Sequence, residues 1–189
     1  MYNGKLVRLR ALEESDIDEI LRFHNTLELR RFIGPPLGRS RKYMEDWLRK
    51  VTAHDPWRDG QLYLAIEDKK TSEFLGIASI ADVMFPHNRA EVGISIHNPK
   101  NRGKGFGTDA LLVLLGIGFN ILGLNSIYLD TMEDNERSIH IYEKIGFKRV
   151  GLLRETEYMD GAHKGLLIMD ILRKEFIEKY PEGTFSDPD

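Results

Sequence analysis

The sequence predicts a single α/β domain, and three observations carry that reading. Apolar residues recur with period two, or in short continuous runs, over three neighbouring segments: Leu62 to Ile66, Phe74 to Phe85 and Ala90 to Ile96. Their short polar connections, Lys69-Lys70-Thr71-Ser72 and Pro86-His87-Asn88, favour an antiparallel meander. The stretch after Gly107 is apolar almost all round, with Leu111, Leu112, Leu114, Leu115, Ile117 and Ile121, so a helix there must be covered on most sides. Strand and helix signals then alternate toward the C-terminus, in an order that is neither a sandwich nor a regular doubly wound sheet. With 189 residues, 41% of them apolar and 30% charged, the chain has length for one domain with a sizeable core and too little for two. The domain is expected over residues 1–173, with a loose tail over 174–189 that ends PEGTFSDPD.

Lys5 to Leu12 alternates weakly and suits an edge strand. Ser15 reads as an N-cap, with Asp16 and Asp18 in a first turn where the helix dipole favours negative charge; Ile17, Ile20 and Leu21 form one face of a helix that runs to about Asn25. A second helical stretch around Leu27 to Phe32 stops at Gly34-Pro35-Pro36, and Ser40 opens a third that carries Tyr43, Met44, Trp47, Leu48 and Val51. The three meander strands and the apolar helix follow. Asn125 to Thr131 reads as a strand, Asn135 to Ile145 as an amphipathic helix closed by Gly146, and Phe147 to Ile171 as two strands turned at Asp160-Gly161.

Composition excludes several functions. Lys and Arg number 27 against 30 Asp and Glu, a net charge of -3, so no global positive field would hold a nucleic-acid backbone. The chain has no cysteine, which removes disulfides, thiolate zinc sites and any acyl-thiol intermediate. His24, His54, His87, His97, His140 and His163 lack ligand spacing, and no metal is expected. The N-terminus shows no secretory pattern, and the longest apolar run, Ala110 to Phe119, is well short of the ~18 residues of a membrane span, so a cytoplasmic location without membrane contact is expected.

The most informative segment is Asn98 to Thr108, NPKNRGKGFGT, between an apolar strand and the central helix. Gly103, Gly105 and Gly107 remove side chains and permit positive φ, so the backbone N–H groups can converge on one point. The helix dipole adds roughly half a positive charge, and Lys100, Arg102 and Lys104 surround the loop. Phosphate, above all pyrophosphate, is the ligand this chemistry suits. A Walker A reading fails because Lys104 is followed by Gly105 rather than Ser or Thr. The dinucleotide fingerprint G-x-G-x-x-A fits Gly105 to Ala110 formally, with Asp130 at the end of the next strand. The long polar approach from Ile96 to Gly103 and the C-terminal hairpin speak against it.

Asn135 and Tyr142 lie two turns apart on nearly one face of their helix. Taken alone they are equally well an N-cap and a core aromatic. In the strand Ala90 to His97, Ala90, Val92, Ile94 and Ile96 point one way, and Glu91, Gly93, Ser95 and His97 the other. The second face is small and polar, with room for a slender ligand beside a carboxylate able to act as a base. Glu91 could instead face solvent or pair with Arg89 or Arg102, and a bulge would reverse the parity.

The glycine loop Arg102, Gly105, Gly107, followed by a long helix, a strand and then NERSIHIYEKIGF, resembles the GCN5-related N-acetyltransferase (GNAT) family over roughly Leu6 to Arg173. Within it the chain looks most like the group of spermidine acetyltransferases and enzymes that acetylate ribosomal-protein N-termini. The resemblance implies a mixed, mainly antiparallel central sheet of about seven strands with helices on both faces. It implies acetyl-CoA as cosubstrate, its pyrophosphate held by Arg102, Gly103, Lys104, Gly105, Phe106, Gly107 and Thr108, its pantetheine along Ile94, Ser95 and Ile96, and Asn135 beside it. Glu91 would remove a proton from the amine, directly or through water, and Tyr142 would return one to the leaving thiolate, with direct transfer in a ternary complex.

For the acceptor, the segment from Glu28 to Pro56 carries Arg30, Arg31, Arg39, Arg41, Lys42, Arg49 and Lys50 against Glu28, Glu45, Asp46 and Asp55. A polyamine site should be acidic. This favours a peptide or protein N-terminal α-amine, or a small amine bearing an anionic group, over a polyamine. A non-catalytic acyl-CoA sensor and an NAD-dependent oxidoreductase are the remaining alternatives. Apolar strand edges near the C-terminus could pair between subunits in a homo-oligomer.

Overall fold

A computed structural model describes residues 1–30 and 37–186. It contains one eight-stranded sheet in the order β1-β2-β3-β4-β5-β6-β8-β7. The strands are β1 (Tyr2–Asn3), β2 (Val7–Ala11), β3 (Leu62–Asp68), β4 (Phe74–Met84), β5 (Arg89–Ile96), β6 (Ser126–Met132), β7 (Lys148–Met159) and β8 (Ala162–Leu172). All neighbours are antiparallel except β5 and β6, which are parallel and linked through the central helix. The expected mixed, mainly antiparallel α/β sheet is therefore present. The additional strand is β1, two residues paired with Leu9 and Arg8 and too short to leave a pattern in the sequence.

The helices are α1 (Ile17–His24), α2 (Leu27–Arg30), α3 (Arg41–Thr52), α4 (Pro56–Asp59), α5 (Phe106–Gly116), α6 (Glu136–Ile145) and α7 (Arg173–Lys179). Ser40 caps α3 by accepting from the Tyr43 N–H at 3.1 Å. Ser15 does not cap α1. It lies in a 3-10 turn, where the Asp16 carboxylate accepts from the Glu13 N–H at 2.9 Å and is gripped by Arg10 at 2.7 Å. The helical stretch expected to reach Phe32 is observed to Arg30, and its continuation to Pro36 lies outside the described residues. The turn at Asp160-Gly161 has φ of 53° and 82°, the left-handed pair that a tight hairpin requires.

Two layers of helix cover the sheet. α1 and α3 bury Ile20, Met44, Leu48 and Val51 against Ala65, with Tyr63 and Ile77 at the margin. On the opposite face α5 packs Ala110, Leu111, Val113 and Leu114 against Leu64, Ile66, Ala78 and Ile80, in one core that also takes Ile139, Ile145 and Phe147. The helix is buried all round because the C-terminal segment covers its outer side. The segment after residue 173, expected to be loose, forms α7 with Phe176 1% exposed, and Thr184 donates to the Leu112 carbonyl at 2.8 Å. Phe176, Tyr180 and Phe185 supply the apolar area that ties it down, 25 cal/mol or so for each Å² covered. No helix among the described residues is long and apolar enough to cross a membrane, and no group of three or more His, Asp or Glu there could hold a metal ion.

Candidate active site

β5 and β6 stay in register for only three pairs, Arg89 with Ser126, Ala90 with Ile127 and Glu91 with Tyr128, and then diverge. Beyond Glu91, β5 keeps β4 on one side and leaves its other edge facing a cavity of about 780 Å³. The cavity is bounded by Glu91 to Ile96, by the loop before α5, by Asp130 to Met132, by the first two turns of α6 and by Glu157 and Met159 of β7. Of the predicted site residues it brings together Glu91, Ile94, Ser95, Ile96, Arg102, Gly103, Gly105, Gly107, Thr108, Asn135 and Tyr142.

The loop has the geometry of an anion nest. Gly103 and Gly105 have φ of 79° and 91°, a region that side chains rarely adopt, and Gly105 is the N-cap of α5. The first i→i−4 bond of the helix runs from the Asp109 N–H to the Gly105 carbonyl at 3.0 Å. Among the described residues nothing accepts from the N–H groups of Gly103, Lys104, Gly105, Phe106, Gly107 or Thr108. These exposed donors, at the positive end of an eleven-residue helix, fit a pyrophosphate.

Arg102 differs from expectation. Its N–H is taken by the Pro99 carbonyl at 3.1 Å, its Nε donates to the Ile96 carbonyl at 3.0 Å, and its Nη1 pairs with Glu28 at 2.7 Å. It braces the end of β5 against the acceptor-side segment rather than offering charge to the nest. Lys104 donates to Asn101 Oδ1 at 3.2 Å, and the Phe106 ring packs on the core, so both belong to the loop through their backbone. The cation over the nest is Arg137, whose Nη2 lies 2.7 Å from where a β-carbon on Gly103 would sit. It was not singled out in the sequence, where it is one more charge on a solvated helix face. Asp109 holds the loop from behind: its buried carboxylate accepts from the N–H groups of Lys5, Leu6 and Val7 at 3.1, 2.7 and 3.0 Å.

Asn135 takes the capping role. Its Oδ1 accepts from the Ser138 N–H at 3.3 Å and its Nδ2 donates to Thr131 Oγ1 at 3.2 Å, which ties the start of α6 to β6. Tyr142, two turns on, lies against Phe147 with ring centroids 5.9 Å apart and reaches the cavity wall. Burial holds its phenol above the usual range, opposed by a hydrogen bond with Ser138, so it stays protonated at neutral pH.

On β5 the predicted parity is observed: Ile94 and Ile96 face α5, where a β-carbon on Gly107 would meet them at 3.5 and 3.6 Å. Glu91 projects from the other face, half-buried, at the point where the strands part. Neither basic neighbour neutralises it, since Arg89 contacts the Met84 sulfur and Arg102 is held by Glu28. Burial, then Asp130 and Asp82, push its carboxyl up, and a hydrogen bond from Tyr128 partly opposes them. Burial and then Glu157 push Asp130 up in turn. His97 departs from the small polar face: it is 3% exposed, stacked edge-on against Phe74, and burial beside His24 and Arg102 lowers its pKa to about 4. The cavity is thus polarised, cationic at the nest and Arg137, and acidic where Glu91, Asp130 and Glu157 share a wall.

A sequence model described as an acetyltransferase (GNAT) domain matches residues 7–148. The chain belongs to the GNAT acetyltransferase family. The spermidine N(1)-acetyltransferase of Escherichia coli K12 is 27% identical to this acetyltransferase over 191 residues, covering 100% of this chain and 98% of that one. The spermidine N(1)-acetyltransferase of Vibrio cholerae is 28% identical over 171 residues, 90% of this chain and 95% of the other. A solved Vibrio cholerae spermidine N-acetyltransferase in complex with CoA and spermine superposes with a TM-score of 0.82 at 27% identity, over 92% of this chain and 99% of that one. This GNAT protein is an acetyl-CoA-dependent N-acetyltransferase, which removes the oxidoreductase alternative.

Proposed function

We propose that this acetyltransferase acetylates a primary amine of a polycation, with a polyamine such as spermidine as its acceptor. The observation that carries the reading is the acidic wall. Glu91, Asp130 and Glu157 line one end of the cavity, and Asp130 and Glu157 each raise a neighbour's proton affinity. Like charges held together are relieved by a cation carrying more than one ammonium group. Three of the basic residues that favoured an α-amine or an anionic acceptor lie elsewhere. Arg41 pairs with Asp18 at 2.5 Å, Lys42 with Asp46 at 2.7 Å and Arg49 with Asp46 at 3.2 Å, all exposed on α3. Of the described part of the Glu28 to Pro56 segment, Leu29 alone lines the cavity. The spermidine acetyltransferases among the relatives support the same reading.

In this mechanism the nest and Arg137 hold the pyrophosphate of acetyl-CoA, and the free edge of β5 from Ile94 to Ile96 offers main-chain groups to the pantetheine. An amine of pKa near 10 arrives protonated, and Glu91, whose proton affinity is already raised, takes the proton directly or through one water. Tyr142 returns a proton to the departing thiolate, and Asn135 fixes the helix that carries Tyr142. A non-catalytic sensor would have no use for these paired proton-transfer groups.

The test is release of free CoA with spermidine, a panel of N-terminal peptides and a monoamine of similar length. Spermidine is expected to be the best substrate, and Glu157→Gln to raise its KM about tenfold with little change in kcat, as loss of one charge-assisted contact implies. Efficient peptide turnover with no response to spermidine would overturn the acceptor assignment.

A further inference from the structure

A base at Glu91 needs a partner that keeps it charged. Burial, Asp130 of β6 and Asp82 of β4 all favour its protonated form, with Glu157 behind Asp130, while Arg89 is engaged with the Met84 sulfur and Tyr63 of β3 faces it as a neutral phenol. Among the described residues, the group that acts in the other direction is Tyr128. Strand parity places it there. Ile127 and Leu129 are 0% and 4% exposed in the core against α5, and Ala90 and Val92 likewise 0% and 4%, so Tyr128 and Glu91 project together from the opposite face. They form the last pair of the β5–β6 register, on strands about 4.8 Å apart. The phenol hydrogen-bonds the carboxylate. Among the described residues that bound the cavity, Glu91 is one and Tyr128 is not.

We infer that Tyr128 is a positioning residue of the acetyl-transfer site, its O–H holding the Glu91 carboxylate in the orientation and charge state that proton abstraction requires. The inference rests on the reading of Glu91 as the base. A hydrogen bond to an ion is stronger than one to a neutral acid, so the donor favours the carboxylate and offsets part of what burial, Asp130 and Asp82 impose. A lysine or arginine in its place would do the same and would also repel a cationic amine. A neutral hydroxyl supports the base without opposing the substrate. It engages one carboxylate oxygen and leaves the other for the ammonium or a bridging water. As the N–H bond of the amine breaks and the O–H bond on Glu91 forms, the phenol keeps its own proton, since burial and then Glu91 and Asp82 push Tyr128 up. Pairing between the strands ends at this rung, so the hydroxyl secures the base where β6 stops supporting β5.

The experiment is Tyr128→Phe in the full chain, which keeps the ring and removes the O–H. The acidic limb of kcat, measured with the amine turned over fastest, is expected to move up by about one pH unit. That is the roughly tenfold rise in Glu91 proton affinity which loss of one hydrogen bond to a charged group implies. KM for the amine and the Tm rise produced by acetyl-CoA should barely change. A side chain that only packs would lower Tm and leave the limb in place. Carbon-13 titration of the glutamate carboxyls gives the same shift without any substrate, the Glu91 signal being identified by its loss in Glu91→Gln. It decides the matter if no amine is turned over. A limb or a Glu91 titration unmoved by Tyr128→Phe would overturn the inference and leave Glu91 as the base. An acidic limb that survives Glu91→Gln would overturn the base reading and this inference with it.

Discussion

Replacing Asp109 with alanine tests how the glycine loop is held in place. The Asp109 carboxylate, 7% exposed, accepts from three consecutive N–H groups, and only the last of these, on Val7, belongs to a fully buried residue. Without the carboxylate, the Val7 donor loses its partner away from water, at about 1–3 kcal/mol. Lys5 and Leu6 are exposed and can turn to solvent, which limits their loss to about 0.5 kcal/mol each. Loss of a negative charge in the first turn of α5 adds about 0.5 kcal/mol. The sum is about 3 kcal/mol, or a fall of roughly 6–12 °C in Tm for a chain of this size. Asp109→Asn retains one acceptor oxygen and should fall between the two. Urea unfolding gives the energy, and hydrogen exchange at Lys5 to Val7 locates it. A loss below about 1 kcal/mol, or unchanged protection at Val7, would refute the reasoning.

Glu91→Gln is expected to lower kcat about a hundredfold or more and to remove the acidic limb of the pH profile, which in the native enzyme lies above the ordinary carboxylate range because burial and Asp130 raise Glu91. A group whose folded pKa is raised binds its proton more tightly in the native state, so ionised Glu91 costs stability at neutral pH and nothing below the unfolded carboxylate range. The Tm of Glu91→Gln should equal or exceed the native value near pH 7, the difference closing in acid; a variant clearly less stable at pH 7 contradicts the assignment. Tyr142→Phe should lower kcat by a similar factor while the Tm rise produced by acetyl-CoA is unchanged. Undiminished kcat removes Tyr142 from the chemistry.

Much of this architecture was legible because local chemistry and global fold agree. The alternation of β5 places Glu91 and Ile94 on opposite faces, and the glycines before α5 mark backbone that only they adopt readily. Asn135 read as a cap for the same reason, since its side chain acts within its own turn. What escaped depends on partners distant in sequence. Arg137 reaches Gly103 across the cavity, Glu157 arrives from a strand 66 positions after Glu91, and Asp109 is explained by amides about a hundred residues earlier. The charge count over Glu28 to Pro56 does not decide the acceptor, because composition does not say which side of a helix faces the ligand. The tail misled because Phe176, Tyr180 and Phe185 are too widely spaced to show a period.

The short register between β5 and β6 has a mechanical consequence. Five strands lie on one side of it and three on the other, so the sheet is two leaves joined at a narrow spine. In the proposed mechanism the pantetheine of acetyl-CoA would lie along the free edge of β5 and supply the missing rung between them.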